Sequence, residues 1–172
     1  MKLNSDDFEL FGLARQFNLV VPAIDSRCRV LLAETHPDKF VGEGASAQRL
    51  AMQWSVRINE AHRRLKDPLA RAAYLCELNG APINAENNTA MPKAFLMQQM
   101  EWRESLDGAS GVADIEALAM SVSTHRKHAL GELQSLIDDE KNYAAAAQHV
   151  RALMFVERFA SDVDARLDAL ES

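Results

Sequence analysis

From Val112 to Leu170 the sequence has one glycine and no proline, and its apolar residues return every three or four positions. Ile115, Leu118, Val122, Ala129, Leu133 and Leu136 share one face over Val112 to Ile137. Leu153, Val156, Phe159, Ala160, Val163 and Leu167 share one over Tyr143 to Leu170. A strand alternates its faces every second residue and cannot carry this period, so the spacing predicts two long amphipathic helices. The acidic stretch DDEKN parts them, and so short a connection makes neighbouring helices antiparallel. A third helical pattern, Pro92 to Leu106, ends at DGASG and completes a three-helix bundle over residues 92–172. The composition agrees: apolar residues make up 48% of the chain and aromatics 6%, with only 7 glycines and 5 prolines, which suits an all-α protein.

The first half is helical in shorter pieces. Asp6 and Asp7 favour a helix start, by capping and by the macrodipole, over Asp6 to Leu13. A second helix begins near Pro22 and aligns Ile24, Cys28, Leu31 and Thr35. FVGEGAS, Phe40 to Ser46, reads as loop, and a third helix aligns Leu50, Trp54, Ile58, Ala61 and Leu65 before stopping near Lys66 to Pro68. A short fourth helix follows through Leu78. NGAPINAENNTAMP, with Asn-Gly, two prolines and clustered asparagines, is the best linker in the chain, which sets a first domain over 1–78 and a linker over 79–91.

The net charge of −6 argues against a nucleic-acid binder, whose affinity rests on clustered cations. It is unevenly divided, +1 through Leu78 and −7 beyond. Cys28 and Cys76 have no CxxC spacing and read as structural thiols of a reducing compartment. The N-terminus carries acids and no long apolar run, so neither a secretory signal nor a membrane span is expected, and the setting is cytoplasmic.

Two features exceed what a helical core requires. The first is THPDKF, Thr35 to Phe40. Proline cannot continue a helix and pushes the preceding residue out of the α region, so the second helix ends at His36 and Pro37 opens a rigid loop displaying His36, Asp38 and Lys39. An imidazole and a carboxylate so placed could be an acid–base pair, part of a metal site, or a handle for another protein.

The second feature lies on the helix from Pro92. At 100° per residue, Phe95, Trp102 and Leu106 form one stripe, whereas Leu96, Met97 and Met100 fall about 100–200° away. Glu104 and Glu101 share and border that second face, and Phe155 on the last helix extends it. Methionines mixed with carboxylates suit an adaptable partner surface, and the alternative is packing on the other domain or filling an irregular core.

The run of a short helix, a helix ending in HPD with Lys39 after it, a loop, and INEAHRRLKDPLARAAY, Ile58 to Tyr74, resembles a J-domain. With DDFELFGL, DPLARAAYLCELNG, AFLMQQMEWRESLD and RALMFVERF, nearly the whole chain is similar to the HscB family of J-protein co-chaperones in iron–sulfur cluster assembly. The resemblance implies an L-shaped, all-α protein, an N-terminal J-domain joined to a C-terminal three-helix bundle. It implies that His36, Pro37 and Asp38 stimulate the ATPase of an HscA-type chaperone of the DnaK class, with Lys39 and Arg27 supplying charge. It further implies that Leu96, Met97, Met100, Glu101, Glu104 and Phe155 bind an IscU-type scaffold protein.

The chain departs from the pattern in places. Thr35 stands where J-domains usually carry an aromatic, Glu34 interrupts a usually basic helix on which Arg27 and Arg29 point apart, and Gly108 replaces an acid. The cysteine-rich extension of some relatives is absent, so neither a metal nor a cofactor is expected. His62, His125, His128 and His149 are scattered and read as solvated or core residues. No phosphate loop or nucleophile elbow supports an enzyme. The remaining alternative is a general J-protein delivering unfolded clients, although such proteins commonly add Gly/Phe-rich tracts or zinc-binding cysteines that do not occur here.

Overall fold

The computed structural model describes residues 1–172 as seven α-helices without a strand. The chain divides into two compact units, Met1–Tyr74 and Leu75–Ser172.

In the first unit α1, Asp7–Phe11, is capped by the Asp6 carboxylate, which accepts from the Glu9 N–H at 3.0 Å, and it is closed by Gly12 at φ 66°. That left-handed turn ends the helix before the expected Leu13, because it diverts the chain at a residue without a Cβ. α1 buries Phe8, Leu10 and Phe11. α2, Val21–Glu34, has Pro22 in its first turn and buries Ile24, Cys28 and Leu31, with Thr35 buried just beyond its end.

A one-turn 3₁₀ helix, Pro37–Phe40, leads to α3, Ala45–Lys66. The buried seam of α3 is Ala51, Ile58, Ala61 and Leu65. Leu50, expected inside, is exposed and Trp54 is half-buried; Leu50 lies about 100° round the wheel from Ala51, past the edge of the covered face. Between α2 and α3, Asp25 accepts from His62 Nε2 at 2.7 Å and lies 3.3 Å from Lys66 Nζ. The hydrogen bond from His62, more than the charge of Lys66, holds the Asp25 carboxyl below the usual carboxylate range.

Asp7 is the fully buried charge of this unit. Its carboxylate sits 2.8 Å from Arg57 and 3.4 Å from Arg64, both on α3. Its N–H donates to the Tyr74 hydroxyl at 3.1 Å, and Tyr74 in turn stacks on Phe8 and lies beneath the Arg64 guanidinium. α4, Pro68–Leu78, carries that tyrosine.

The second unit starts inside α4. Gly80, at φ 80°, closes the helix with Gly80 N–H to Glu77 O and Ala81 N–H to Cys76 O, the paired bonds of a Schellman turn. The segment expected as a linker is fastened to the bundle: buried Arg151 donates to the carbonyls of Ile83 at 2.8 Å, Ala90 at 3.1 Å and Pro82 at 3.3 Å. Turn-forming composition revealed that residues 79–91 are not helical; it carried no information on what satisfies their carbonyls. The compact units accordingly part at Tyr74, ahead of the boundary expected after Leu78.

α5 is Lys93–Asp107, α6 is Val112–Gln134 and α7 is Tyr143–Glu171. A π turn over Ser135–Asp139, with Glu140 N–H bonded to Ser135 O, extends α6. The wider turn makes Ile137 the last fully buried residue and leaves the expected Leu136 half-buried. On α7, Leu153, Val156, Phe159 and Val163 are buried, while Ala160 and Leu167 lie at the edge. Gly108 caps α5 through its N–H to Glu104 O at 2.9 Å, and a Cβ there would meet the same oxygen at 3.3 Å. No helix is long and apolar enough to cross a membrane.

α5 is seated by aromatic contacts. Trp102 stacks on Phe159 with centroids 5.7 Å apart, and His125 of α6 meets Trp102 at 4.9 Å and Phe95 at 5.9 Å. Burial among these rings disfavours the imidazolium and pushes the His125 pKa below its ordinary 6.5. The unfolded chain then binds the proton more readily than the folded one, so this contribution to stability is present above pH 6.5 and is lost as pH falls through that value. Urea unfolding of the wild type should show a lower midpoint at pH 5.5 than at pH 7.5, by about the scale of one titrating group, and His125→Phe should reduce the difference. An equal pH dependence in the variant would locate its source elsewhere.

Candidate functional site

The HPD stretch is built by the end of α2. Thr35 donates its hydroxyl to Leu31 O at 2.9 Å, and its N–H bonds the same carbonyl at 3.1 Å, which closes the helix in a buried position. The residue that replaces the usual aromatic thus serves as a polar stop. His36 follows with φ −61° and ψ 131°, the extended conformation required before proline. Its Nδ1 accepts from the Asp38 N–H at 3.2 Å and caps the 3₁₀ turn. A neutral imidazole accepting at Nδ1 carries its proton on Nε2, the nitrogen free to donate to a partner.

His36, Asp38 and Lys39 are exposed on this turn, and Pro37 is half-buried. The Asp38 carboxylate lies 3.6 Å from His36 Nδ1. No third group orients the pair and both side chains face solvent, so the geometry suits display to a macromolecule rather than acid–base chemistry. Arg27, also expected to meet the chaperone, lies outside the turn itself. It stands about two and a half turns earlier on α2, half-buried, with Nε donating to Phe11 O at 2.8 Å. Sequence position marks a cation without showing whether a carbonyl of another segment has claimed it.

On α5 the core stripe of Phe95, Trp102 and Leu106 is buried, and the surplus apolar residues are exposed: Leu96 by 45%, Met97 by 62% and Met100 by 67%. Glu101 and Glu104 are exposed beside them. Phe155 of α7 is half-buried, with the Arg158 guanidinium 5.3 Å above its ring.

Phe159 lies against Trp102, Arg103 Nη1 is 3.7 Å from Asp162, and Phe95, Gln98, Ala152 and Leu153 line one cavity of about 360 Å³. These contacts run in the same order on both helices, so α5 and α7 are parallel. About two turns before Arg103 and Asp162, at matching heights and on the same sides, stand Leu96 and Phe155. Helix register therefore brings Phe155 to the same seam as Leu96 and Met100, while Met97, Glu101 and Glu104 lie further round α5. Arg158 and the exposed Met154 adjoin Phe155 and were not singled out by periodicity, since both stand outside the core arc of α7.

The co-chaperone protein HscB homolog of Burkholderia multivorans is 45% identical over 175 residues, covering 100% of this chain and 99% of the relative. The chain belongs to the HscB family. The HscB homolog of Paraburkholderia phymatum is likewise 45% identical, over 99% of this chain and 98% of its own. Residues 91–164 match the family model described as the HSCB C-terminal oligomerisation domain. Among solved structures, the chaperone HscB from Vibrio cholerae superposes with a TM-score of 0.81 at 34% identity, covering 96% of this chain and 99% of that one. Human co-chaperone protein HscB shares the fold, with a TM-score of 0.84 at 22% identity over 98% of this chain and 83% of its own. The all-α fold implied by the resemblance, a J-domain followed by a C-terminal helical domain, is the HscB fold found here.

The position of Arg27 has a measurable consequence. Arg27→Gln removes a charged donor from a part-buried carbonyl and should lower the stability of the protein by about 1–3 kcal/mol in urea unfolding. A variant as stable as the wild type would mean that water satisfies Phe11 O equally well.

Proposed function

We propose that this protein stimulates ATP hydrolysis by an HscA-type chaperone of the DnaK class through His36, Pro37, Asp38 and Lys39, and delivers to it an IscU-type scaffold held on Leu96, Met97, Met100, Glu101, Glu104 and Phe155. As a member of the HscB family it is a J-protein co-chaperone of iron–sulfur cluster assembly. The observation that carries the finer assignment is the exposure of Leu96, Met97 and Met100 on a helix whose other face already fills the bundle core. An apolar strip of that kind favours a protein partner.

The mechanism is one of binding. The 3₁₀ turn limits the motion of His36 and Asp38 before any partner arrives, which reduces the entropy lost on docking. His36 Nε2 donates, Asp38 accepts from cationic groups, and Lys39 adds a charge. By preferring a chaperone conformation nearer to hydrolysis, the turn shifts the chaperone population toward it. A scaffold held by the second unit of the same chain is kept at raised local concentration beside that chaperone. Cytoplasmic placement fits two free, buried thiols, of which Cys76 is pushed up to about 11 by burial.

Single-turnover ATP hydrolysis by the matching chaperone tests the whole scheme, with this protein, the scaffold, or both present. Synergy is expected; stimulation indifferent to the scaffold would favour a general J-protein that delivers unfolded clients. His36→Gln should abolish stimulation and leave scaffold affinity intact, and loss of both would indicate unfolding. Replacing Leu96, Met97 and Phe155 together by alanine should weaken scaffold binding by about 2 kcal/mol or more, measured by calorimetry. Unchanged affinity in a folded triple variant would refute that site.

A further inference from the structure

The proposed scaffold face has two electrically different edges. Going round α5 from the seam, Leu96 and Met100 come first, then Glu104, Met97 and Glu101, so this side ends in carboxylates. Going round α7 from Phe155 in the other direction come Arg158 and Met154, both exposed. The apolar middle is thus bounded by acids on one helix and a guanidinium on the other.

Arg158 has no carboxylate partner, unlike Arg103 and Arg126 nearby. Asp162, one turn along, is taken by Arg103 at 3.7 Å, and Glu157 is taken by Arg126 at 2.5 Å. In a region of the sequence with a net charge of −7, this cation makes no ion pair and instead lies 5.3 Å from the Phe155 ring centroid. Stacking on the ring restrains the side chain while leaving its N–H groups open to a planar acceptor. A carboxylate is the acceptor that matches this fork, with two parallel hydrogen bonds.

We propose that Arg158 is a further scaffold contact: it pairs with a carboxylate on the scaffold protein and, opposite Glu101 and Glu104, determines which way round that partner docks. The proposal rests on the assignment of Leu96 and Phe155 to scaffold binding. The matching surface is an apolar knob with a carboxylate on one flank and a base on the other. A reversed scaffold would set its carboxylate against Glu101 and Glu104 and its base against Arg158, and like-charge contact of this kind selects orientation.

The experiment is the association kinetics of cluster-free scaffold with the full-length protein at low and high salt, the fold of each variant being checked by circular dichroism. Arg158→Glu is expected to slow association and weaken affinity about tenfold at low salt, with the difference shrinking as salt rises. Arg158→Met, which can still cover the ring, is expected to weaken binding several-fold, whereas Arg158→Lys recovers the association rate to within about twofold. Wild-type affinity in Arg158→Glu, or in Arg158→Met, would overturn the proposal; the second result would mean that the residue only shields Phe155. Leu96→Ala, measured in parallel, separates the two levels. If it weakens binding and Arg158→Glu does not, only the Arg158 contact fails; if neither weakens binding, the face itself is misassigned.

Discussion

Backbone carbonyls outside the helices, and those in a helix's last turn, must find donors, and in this protein arginines supply many of them. Arg57 donates to Ser5 O at 2.7 Å and to Leu3 O at 3.4 Å; Arg27 donates to Phe11 O; Arg71 donates to Phe17 O at 2.8 Å and Leu65 O at 2.5 Å; Arg151 serves three carbonyls of the segment after α4. A guanidinium has five donors in a fixed fork, so one side chain can pin two or three irregular residues at once. A buried carbonyl left unpaired costs about 1–3 kcal/mol, a large share of the margin by which a domain is stable. Short helices and irregular connections are tolerable here because these cations hold the chain between them.

Asp7 applies the same logic to charge. Its carboxylate is wholly buried and would oppose folding alone, yet two arginines of α3 face it, and the hydroxyl of Tyr74 receives its N–H. α1 is thereby fixed to α3 and α4, while Arg27 fixes its far end to α2. The α2–α3 pair, further joined by Asp25 and His62, then presents the HPD turn from a rigid base. In the second unit the equivalent office falls to rings: Trp102 between Phe159 and His125 seats α5 so that its other face stays free.

Much of this was legible in residue order. Ile24, Cys28, Leu31 and Thr35 are buried as their spacing implied, and so are Phe95, Trp102 and Leu106. The exposure of Leu96, Met97 and Met100 followed from the same wheel, because a helix in a small bundle cannot direct two apolar faces into one core. Leu50 and Leu136 were misjudged by one position each. Periodicity identifies a face but not its covered arc, and a π turn shifts the register by a residue that no local signal announces. The contacts of Arg27 and of residues 79–91 were not legible for another reason: a cation on a helix and a turn-rich segment look solvated until the distant partner is in view.

What the sequence determined by itself was local: seven helical segments, the proline-stiffened turn after α2, and an apolar strip on α5 beyond the needs of a core. Each follows from the helical repeat or from the restricted torsions of proline, which act over a few residues. Only the tertiary structure decided which arginines are consumed by carbonyls, that residues 79–91 are bound to α7, and that Phe155 shares a seam with Leu96. Those outcomes depend on pairings between groups far apart in the chain, and hydrogen-bond satisfaction, unlike periodicity, has no local record.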